Sequence, residues 1–89
     1  MVQFVQLSKD KYSEHALLDL NDLTGSSFKN ADLTDSDFVL ANLTSCNFDG
    51  ADLSGVDFSG ANLTKCNLNN TDLSGVNMMN TLISETSFF

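Results

Sequence analysis

The chain has 89 residues, of which 12 are acidic and 4 basic, giving a formal net charge of -8. This charge disfavours direct binding to nucleic acid or to an acidic membrane and favours basic protein partners. No apolar run approaches the ~18 residues that a membrane helix needs, and the first residues lack the basic leader and apolar stretch of a secretion signal. Two cysteines are too few for a disulfide framework, so we expect a cytoplasmic protein.

Residues 1–20 differ in pattern from the rest and are predicted to form an N-terminal cap. Ser8 is a suitable N-cap for a short helix over residues 9–15, and the apolar Phe4 and Leu7 are placed to cover the start of the repeat region. His15 stands in a polar stretch with no nucleophile at a recognisable spacing, so we interpret it as a surface residue.

The second region, residues 21–89, is organised by a period of five. A large apolar residue recurs at every fifth position, with a small residue two positions before most of them. The large residues are Leu23, Phe28, Leu33, Phe38, Leu43, Phe48, Leu53, Phe58, Leu63, Leu68, Leu73, Met78, Ile83 and Phe88. A helix spaces its apolar residues about 3.6 apart and a strand 2 apart. A period of five therefore indicates a chain that turns a corner every five residues, with one large and one small side chain inside.

A longer period of twenty sets the number of sides. The residue before each large one follows the order Asp, Asp, Asn, Asn from position 32, and the order then starts again at position 52. Residues 31–50 and 51–70 share 11 identities in 20 positions. Four pentads therefore form one coil, and residues twenty apart stack on each other. Gly50, Gly55, Gly60 and Gly75 fall at the corners, where a positive φ suits glycine.

These units carry a family resemblance. Ala31-Asp-Leu-Thr-Asp, Ala41-Asn-Leu-Thr-Ser, Ala51-Asp-Leu-Ser-Gly and Ala61-Asn-Leu-Thr-Lys resemble the A-(D/N)-L-x-x unit of the pentapeptide-repeat family. The resemblance implies an all-β fold, a right-handed quadrilateral β-helix (a β-solenoid with four pentapeptides per coil). Residues 21–89 would make about three and a half coils, a rod ~17 Å long at ~4.8 Å per coil. Some members of the family are acidic DNA mimics that bind and protect DNA gyrase.

The acidic residues concentrate on two neighbouring sides of the predicted coil, which we interpret as a partner-binding face. They are Asp32, Asp35, Asp37, Asp52, Asp57 and Asp72. The main hypothesis is a non-catalytic binding or scaffold protein, and the alternative is a DNA mimic that occupies the basic groove of gyrase or another DNA-binding enzyme. Carboxylates one coil apart repel by about 1 kcal/mol in water, so we expect folding to raise their pKa.

No constellation of residues predicts catalysis, a cofactor or a metal. The aspartates lie on a convex surface without a sheltered pocket, and there is no Gly-rich phosphate loop or acid–base pair. Cys46 and Cys66 are twenty residues apart, close enough for a disulfide, but we favour small core side chains. A Thr column at positions 24, 44 and 64 lacks the second Thr row of an ice-binding surface and is interpreted as a solvated face.

The last residues place large apolar side chains at an uncovered end of the coil. They are Met78, Met79, Leu82, Ile83, Phe88 and Phe89. Such a patch is an aggregation liability unless something covers it. The sequence therefore predicts a two-fold, end-to-end homodimer through these residues, to be checked by light scattering.

Overall fold

The computed structural model describes residues 22–89, and the predicted cap over residues 1–20 lies outside them. The described chain pairs with itself through parallel bridges between residues twenty apart, from Asp22 with Asn42 to Asn67 with Ser87. Residues twenty apart are therefore stacked, as the period of twenty predicts. Within residues 22–89 there is no helix of the length and apolarity that crossing a membrane requires.

Every side of the coil ends in the same turn. The N–H of the small residue donates to the carbonyl of the large residue three positions earlier, as from Ser26 to Leu23 at 3.0 Å and from Cys46 to Leu43 at 3.0 Å. At Thr71 the side-chain hydroxyl donates to the carbonyl of Leu68 instead, at 2.9 Å. The third residue of this turn has a positive φ at each fifth position from 25 to 85, with values from +57° to +77°. A positive φ at that position is the mark of a type II turn. The corner positions predicted for the glycines are confirmed.

The sides are shorter than regular strands. In residues 22–89 each side pairs with the side in the next coil through a single β-bridge. The bridging residue is the Asp, Asn, Ser or Leu that precedes the large residue. Two of the five residues on each side belong to the turn. Only the remaining short stretch can be extended, so the coils are joined by single bridges and their flanking hydrogen bonds instead of by continuous strands.

The core is a column of large side chains inside the coil. The ten large residues from Leu23 to Leu68 are at most 1% exposed. Two pairs of stacked rings fill the centre. The ring centroids of Phe28 and Phe48 are 4.9 Å apart and those of Phe38 and Phe58 are 5.5 Å apart, with near-parallel planes in both pairs. Rings of the two stacks meet edge to face at 5.6–6.1 Å. The core opens toward residue 89, where Ile83 and Phe88 are 49% and 44% exposed.

One corner residue predicts a gain in stability on substitution. Leu40 has φ +63° and its side chain is 73% exposed. A left-handed conformation destabilises a residue such as leucine by about 1–2 kcal/mol. Glycine avoids this cost, but its greater backbone freedom in the unfolded chain destabilises the fold by about 0.5–1 kcal/mol. We therefore expect Leu40→Gly to raise the free energy of unfolding by about 0.5–1 kcal/mol in urea titrations. Leu82→Gly is the control, because Leu82 is also exposed but does not have a positive φ, and it should destabilise. Equal effects at the two positions would contradict this explanation.

Candidate functional site

The six predicted acidic residues lie on two adjacent sides of the coil. We call residues 31–35, 51–55 and 71–75 the first acidic side, and residues 36–40, 56–60 and 76–80 the second acidic side. On the first, bridges stack Asp32 on Asp52 and Asp52 on Asp72; on the second, Asp37 pairs with Asp57. Asp35 is exposed at the corner between the two sides. The predicted positions thus come together in space, and their role in binding stays a prediction.

On the first acidic side each carboxylate is fixed by two hydrogen bonds from the residue two positions later. Oδ1 of Asp32 accepts from the N–H of Thr34 at 3.2 Å and from its hydroxyl at 2.7 Å. Oδ1 of Asp52 accepts from the N–H and hydroxyl of Ser54 at 3.1 and 2.8 Å. Asp72 and Ser74 repeat this pair of contacts at 2.9 and 2.6 Å. Each is an Asx turn with an added hydroxyl donor.

The second acidic side uses only the backbone donor. Oδ1 of Asp37 accepts from the N–H of Val39 at 2.9 Å, and Oδ1 of Asp57 accepts from the N–H of Ser59 at 2.9 Å. Asn side chains on the other sides make the same turn contact, as Asn42 does with Thr44. The contact is therefore part of the repeat, and Asp supplies it together with a negative charge.

These turn contacts reverse the expected direction of the pKa shifts. The hydroxyl of Thr34, and then its backbone N–H, lower the pKa of Asp32 below its ordinary value of 3.8. Ser74 lowers the pKa of Asp72 in the same way, and Thr24 that of Asp22. At Asp32 and Asp72 the expectation that stacking raises the pKa is wrong, because short hydrogen bonds to the ionised oxygen outweigh the solvent-screened repulsion between neighbouring coils.

Sequence reasoning also missed what the threonines do. Thr24 and Thr44 lie in turns, and their hydroxyls donate to Oδ1 of Asp22 and Asn42 at 2.6 and 2.7 Å. The sequence pattern predicts only a solvated face for this column. The signal was present in the sequence as Asp or Asn followed two residues later by Thr or Ser, which is the spacing of an Asx turn with a second donor.

The lowered pKa values predict the pH dependence of stability. A carboxyl whose pKa is lower folded than unfolded stabilises the fold above its unfolded pKa, and that contribution is lost as pH falls through the folded value. We expect the free energy of unfolding to decrease as pH falls from about 5 to about 2. Thr34→Val, which removes the hydroxyl donor to Asp32, should reduce this dependence. Thr44→Val removes the same donor from the neutral Asn42 and should leave it unchanged. Stability that rises on acidification would mean that repulsion between the columns dominates.

The two cysteines belong to the core. Cys46 and Cys66 are free thiols, 1% and 2% exposed. Each Sγ donates to a carbonyl in the coil before it, Cys46 to Leu23 at 3.1 Å and Cys66 to Leu43 at 2.8 Å. The adjacent Cys66 side chain, followed by burial, raises the pKa of the Cys46 thiol. The interpretation as core side chains is confirmed, and a neutral buried thiol is a poor nucleophile.

A depression lies beside the first acidic side. Asn30, Ala31, Asp32, Gly50 and Asp52 line an open hollow of about 570 Å³. In the part of the chain that the structure describes, no group of three or more His, Cys, Asp or Glu side chains is placed to hold a metal ion. The carboxylates of these sides are stacked one coil apart, Asp32 on Asp52, Asp52 on Asp72 and Asp37 on Asp57.

Comparison with known proteins places this repeat in a family. The sequence profile described as Pentapeptide repeats matches in eight copies, over residues 14–38, 21–60, 41–80 and 57–88. The chain belongs to the pentapeptide-repeat family. Comparison with curated proteins found no match.

Solved structures of other pentapeptide-repeat proteins share its fold. The pentapeptide-repeat protein Rfr23 from the cyanobacterium Cyanothece 51142 aligns with a TM-score of 0.78 and 23% identity, over 82% of this chain and 50% of its own. HetL from the cyanobacterium Nostoc sp. strain PCC 7120, involved in the regulation of heterocyst differentiation, aligns with a TM-score of 0.65 and 28% identity, over 67% of this chain and 29% of its own. This pentapeptide-repeat protein thus spans about half of one relative and under a third of the other.

Proposed function

We propose that this pentapeptide-repeat protein is a non-catalytic binding or scaffold module, wound as a right-handed four-sided β-helix, whose two acidic sides contact a basic protein partner. Residues 22–89 contain nine acidic and two basic residues, and six of the acids lie on these sides and their shared corner. Such a field attracts and orients a basic surface. We propose that it acts in the cytoplasm, without binding nucleic acid or membrane itself.

The observation that carries the proposal is the fixed geometry of the carboxylates. On the first acidic side Oδ1 of each aspartate is held by the residue two positions later, while Asp52 and Asp72 remain exposed. A side chain already held in one position loses less entropy on binding than a free one. Lysine and arginine side chains of a partner would meet charges that are already in place.

A comparison of two variants with equal charge tests this proposal. The first carries Asp32→Asn, Asp52→Asn and Asp72→Asn; the second carries Asp22→Asn, Asp49→Asn and Glu85→Gln. Asn makes the same turn contact as Asp in this repeat, so the first variant should keep its fold. Both proteins are used as bait in the parent cell lysate at low and moderate salt. We expect the first variant to lose the partner that the wild type and the second variant retain. Equal recovery by both variants would contradict a role for the first acidic side.

The alternative function is mimicry of DNA toward gyrase or another DNA-binding enzyme. In its support, a net charge of -7 over the ~17 Å of residues 21–89 is about one charge per 2.4 Å, against one per ~1.7 Å of duplex DNA. A supercoiling assay separates the two functions. DNA mimicry predicts that excess wild-type protein inhibits gyrase and that the triple variant of the first acidic side inhibits less. An unchanged supercoiling rate would exclude gyrase as the partner.

A further inference from the structure

One corner of the second acidic side has an exposed apolar residue in an unfavourable backbone conformation. Leu40 has a φ of +63°, and its side chain is 73% exposed. The other positive-φ corners that the structure describes hold glycine or the polar residues Asn, Asp, Ser, Lys and Glu. Residues held in strained conformations are concentrated at functional sites, so an exposed leucine at this corner indicates a role on the surface.

Leu40 belongs to a line of exposed apolar side chains on this side of the coil. Val39 is 41% exposed, and Met79, at the same turn position two coils later, is 66% exposed. The coil between them has the small residues Ser59 and Gly60 at these positions. Cδ2 of Leu40 lies 2.5 Å from the position that a Cβ on Gly60 would occupy, so the leucine packs over the glycine backbone. We call Val39, Leu40 and Met79 the apolar strip.

A column of carboxylates runs beside the apolar strip on the same side. Asp37 and Asp57 pair across neighbouring coils through a parallel bridge. Their turn contacts use Oδ1, and among the described residues no hydrogen bond reaches Oδ2 of either carboxylate. Lys29 and Lys65, the two basic residues within 22–89, lie on other sides of the coil. The second acidic side is therefore apolar along one line and negative along the next.

We propose that the second acidic side binds a basic amphipathic α-helix of the partner, laid along the coil axis. The apolar stripe of the helix covers the apolar strip, and lysine or arginine side chains beside that stripe face Asp37 and Asp57. This inference rests on the proposed function and adds the form of the partner segment. A helix with an apolar stripe and basic residues on one flank complements both lines of this surface.

The spacing of the coils fits the pitch of a helix. Coils lie ~4.8 Å apart and a helix rises about 5.4 Å per turn, so each helical turn faces about one coil. At that spacing Val39 and Met79 are about 9.6 Å apart, and residues i and i+7 of a helix are about 10.5 Å apart. The small Ser59 and Gly60 lie between them and leave room for a large residue at i+3 or i+4. A partner strand, with same-face residues ~6.7 Å apart, would be out of step with the coils.

The test measures binding of two synthetic peptides to the full chain. The striped peptide has Leu at i, i+4, i+7 and i+11 and Lys along one flank of that stripe. The scrambled peptide has the same residues in an order that disperses the leucines, so its charge is the same but it has no stripe. Fluorescence anisotropy at moderate salt gives the dissociation constants. We expect saturable 1:1 binding of the striped peptide, at least about tenfold tighter than that of the scrambled one.

Matched variants locate the site. Met79→Ser should weaken binding of the striped peptide at least about tenfold, whereas Phe89→Ser, at the same turn position on the opposite side of the coil, should not. Asp57→Asn should also weaken it, whereas Asp49→Asn, on that opposite side, should not. Leu40→Asn should weaken it without loss of stability, because Asn has a positive φ at three other corners.

The outcomes separate this inference from the proposed function. Equal binding of the two peptides, no binding of the striped peptide, or equal losses for Met79→Ser and Phe89→Ser would overturn the helix as the partner segment. Protection of the Leu53 N–H, which donates to Asp72, reports that each variant is folded. The proposed function would still stand in those cases if the triple variant of the first acidic side lost its partner from the lysate.

Discussion

Leu53→Asp is expected to abolish cooperative unfolding. Leu53 is fully buried and stacks between Leu33 and Leu73 in the narrow interior of the coil. The lost packing costs about 3–5 kcal/mol, and burying a carboxylate without a partner adds several more. The sum is comparable to the whole stability of a small domain, about 5–15 kcal/mol. Circular dichroism during a urea titration is the measurement, and a gradual, uncooperative change in signal is the expected result.

Leu40→Asp is the matched control for this substitution. The exchange is chemically the same, but Leu40 is 73% exposed and has a positive φ, which Asp adopts more readily than Leu. This variant should unfold cooperatively, with a stability equal to or above that of the wild type. If Leu53→Asp also unfolded cooperatively, the assignment of the large residues to the interior would be wrong.

Phe48→Ala is expected to have the second-largest effect, a loss of about 3–5 kcal/mol. The ring of Phe48 stacks on Phe28 at 4.9 Å and meets Phe38 and Phe58 edge to face at 6.1 and 5.9 Å. Its removal leaves a cavity that touches both ring stacks, and the hydrogen-bonded coils on either side cannot close over it. Chemical denaturation followed by circular dichroism gives the free energy of unfolding.

Two further variants separate packing from residue type. Phe89→Ala makes the same change at a ring that is 92% exposed, and its stability should stay within about 0.5 kcal/mol of the wild type. Phe48→Leu should cost less than Phe48→Ala, because Leu68 already fills the equivalent position one coil later. Similar losses for Phe48→Ala and Phe89→Ala would contradict the central role of the ring stacks.

The coil could be predicted from the sequence because it follows from a periodic pattern of residue types. A large residue at every fifth position and a repeat of twenty dictate which side chains share a column, and the buried residues from Leu23 to Leu68 follow that prediction. The length of the strands could not be predicted in this way. It depends on how many residues the turn contains, and a positive φ at Leu40 is not evident from a residue type that rarely adopts it.

The chemistry of the acidic sides was harder to predict than their position. Stacking alone implies repulsion and raised pKa values, and that argument considers only the charges. The hydroxyl of Thr34, 2.7 Å from Oδ1 of Asp32, is the main cause of the lowered pKa of Asp32. This hydroxyl is uncharged, so an argument from charges alone leaves it out. Asp and Asn make the same local contact at this position, so the turn itself does not require a carboxylate. The proposed binding function is a use for its charge.

Hydrogen exchange of the protein in complex with the partner it captures tests this function most directly. The backbone N–H groups of Thr34, Ser54 and Ser74 lie in the turns that hold the carboxylates of the first acidic side. The proposal predicts that exchange slows at these groups and at Val39 and Ser59 on the second acidic side when the partner binds. Slowed exchange confined to the sides that carry Asn42 and Asn47, with no change at Thr34, Ser54 or Ser74, would contradict it.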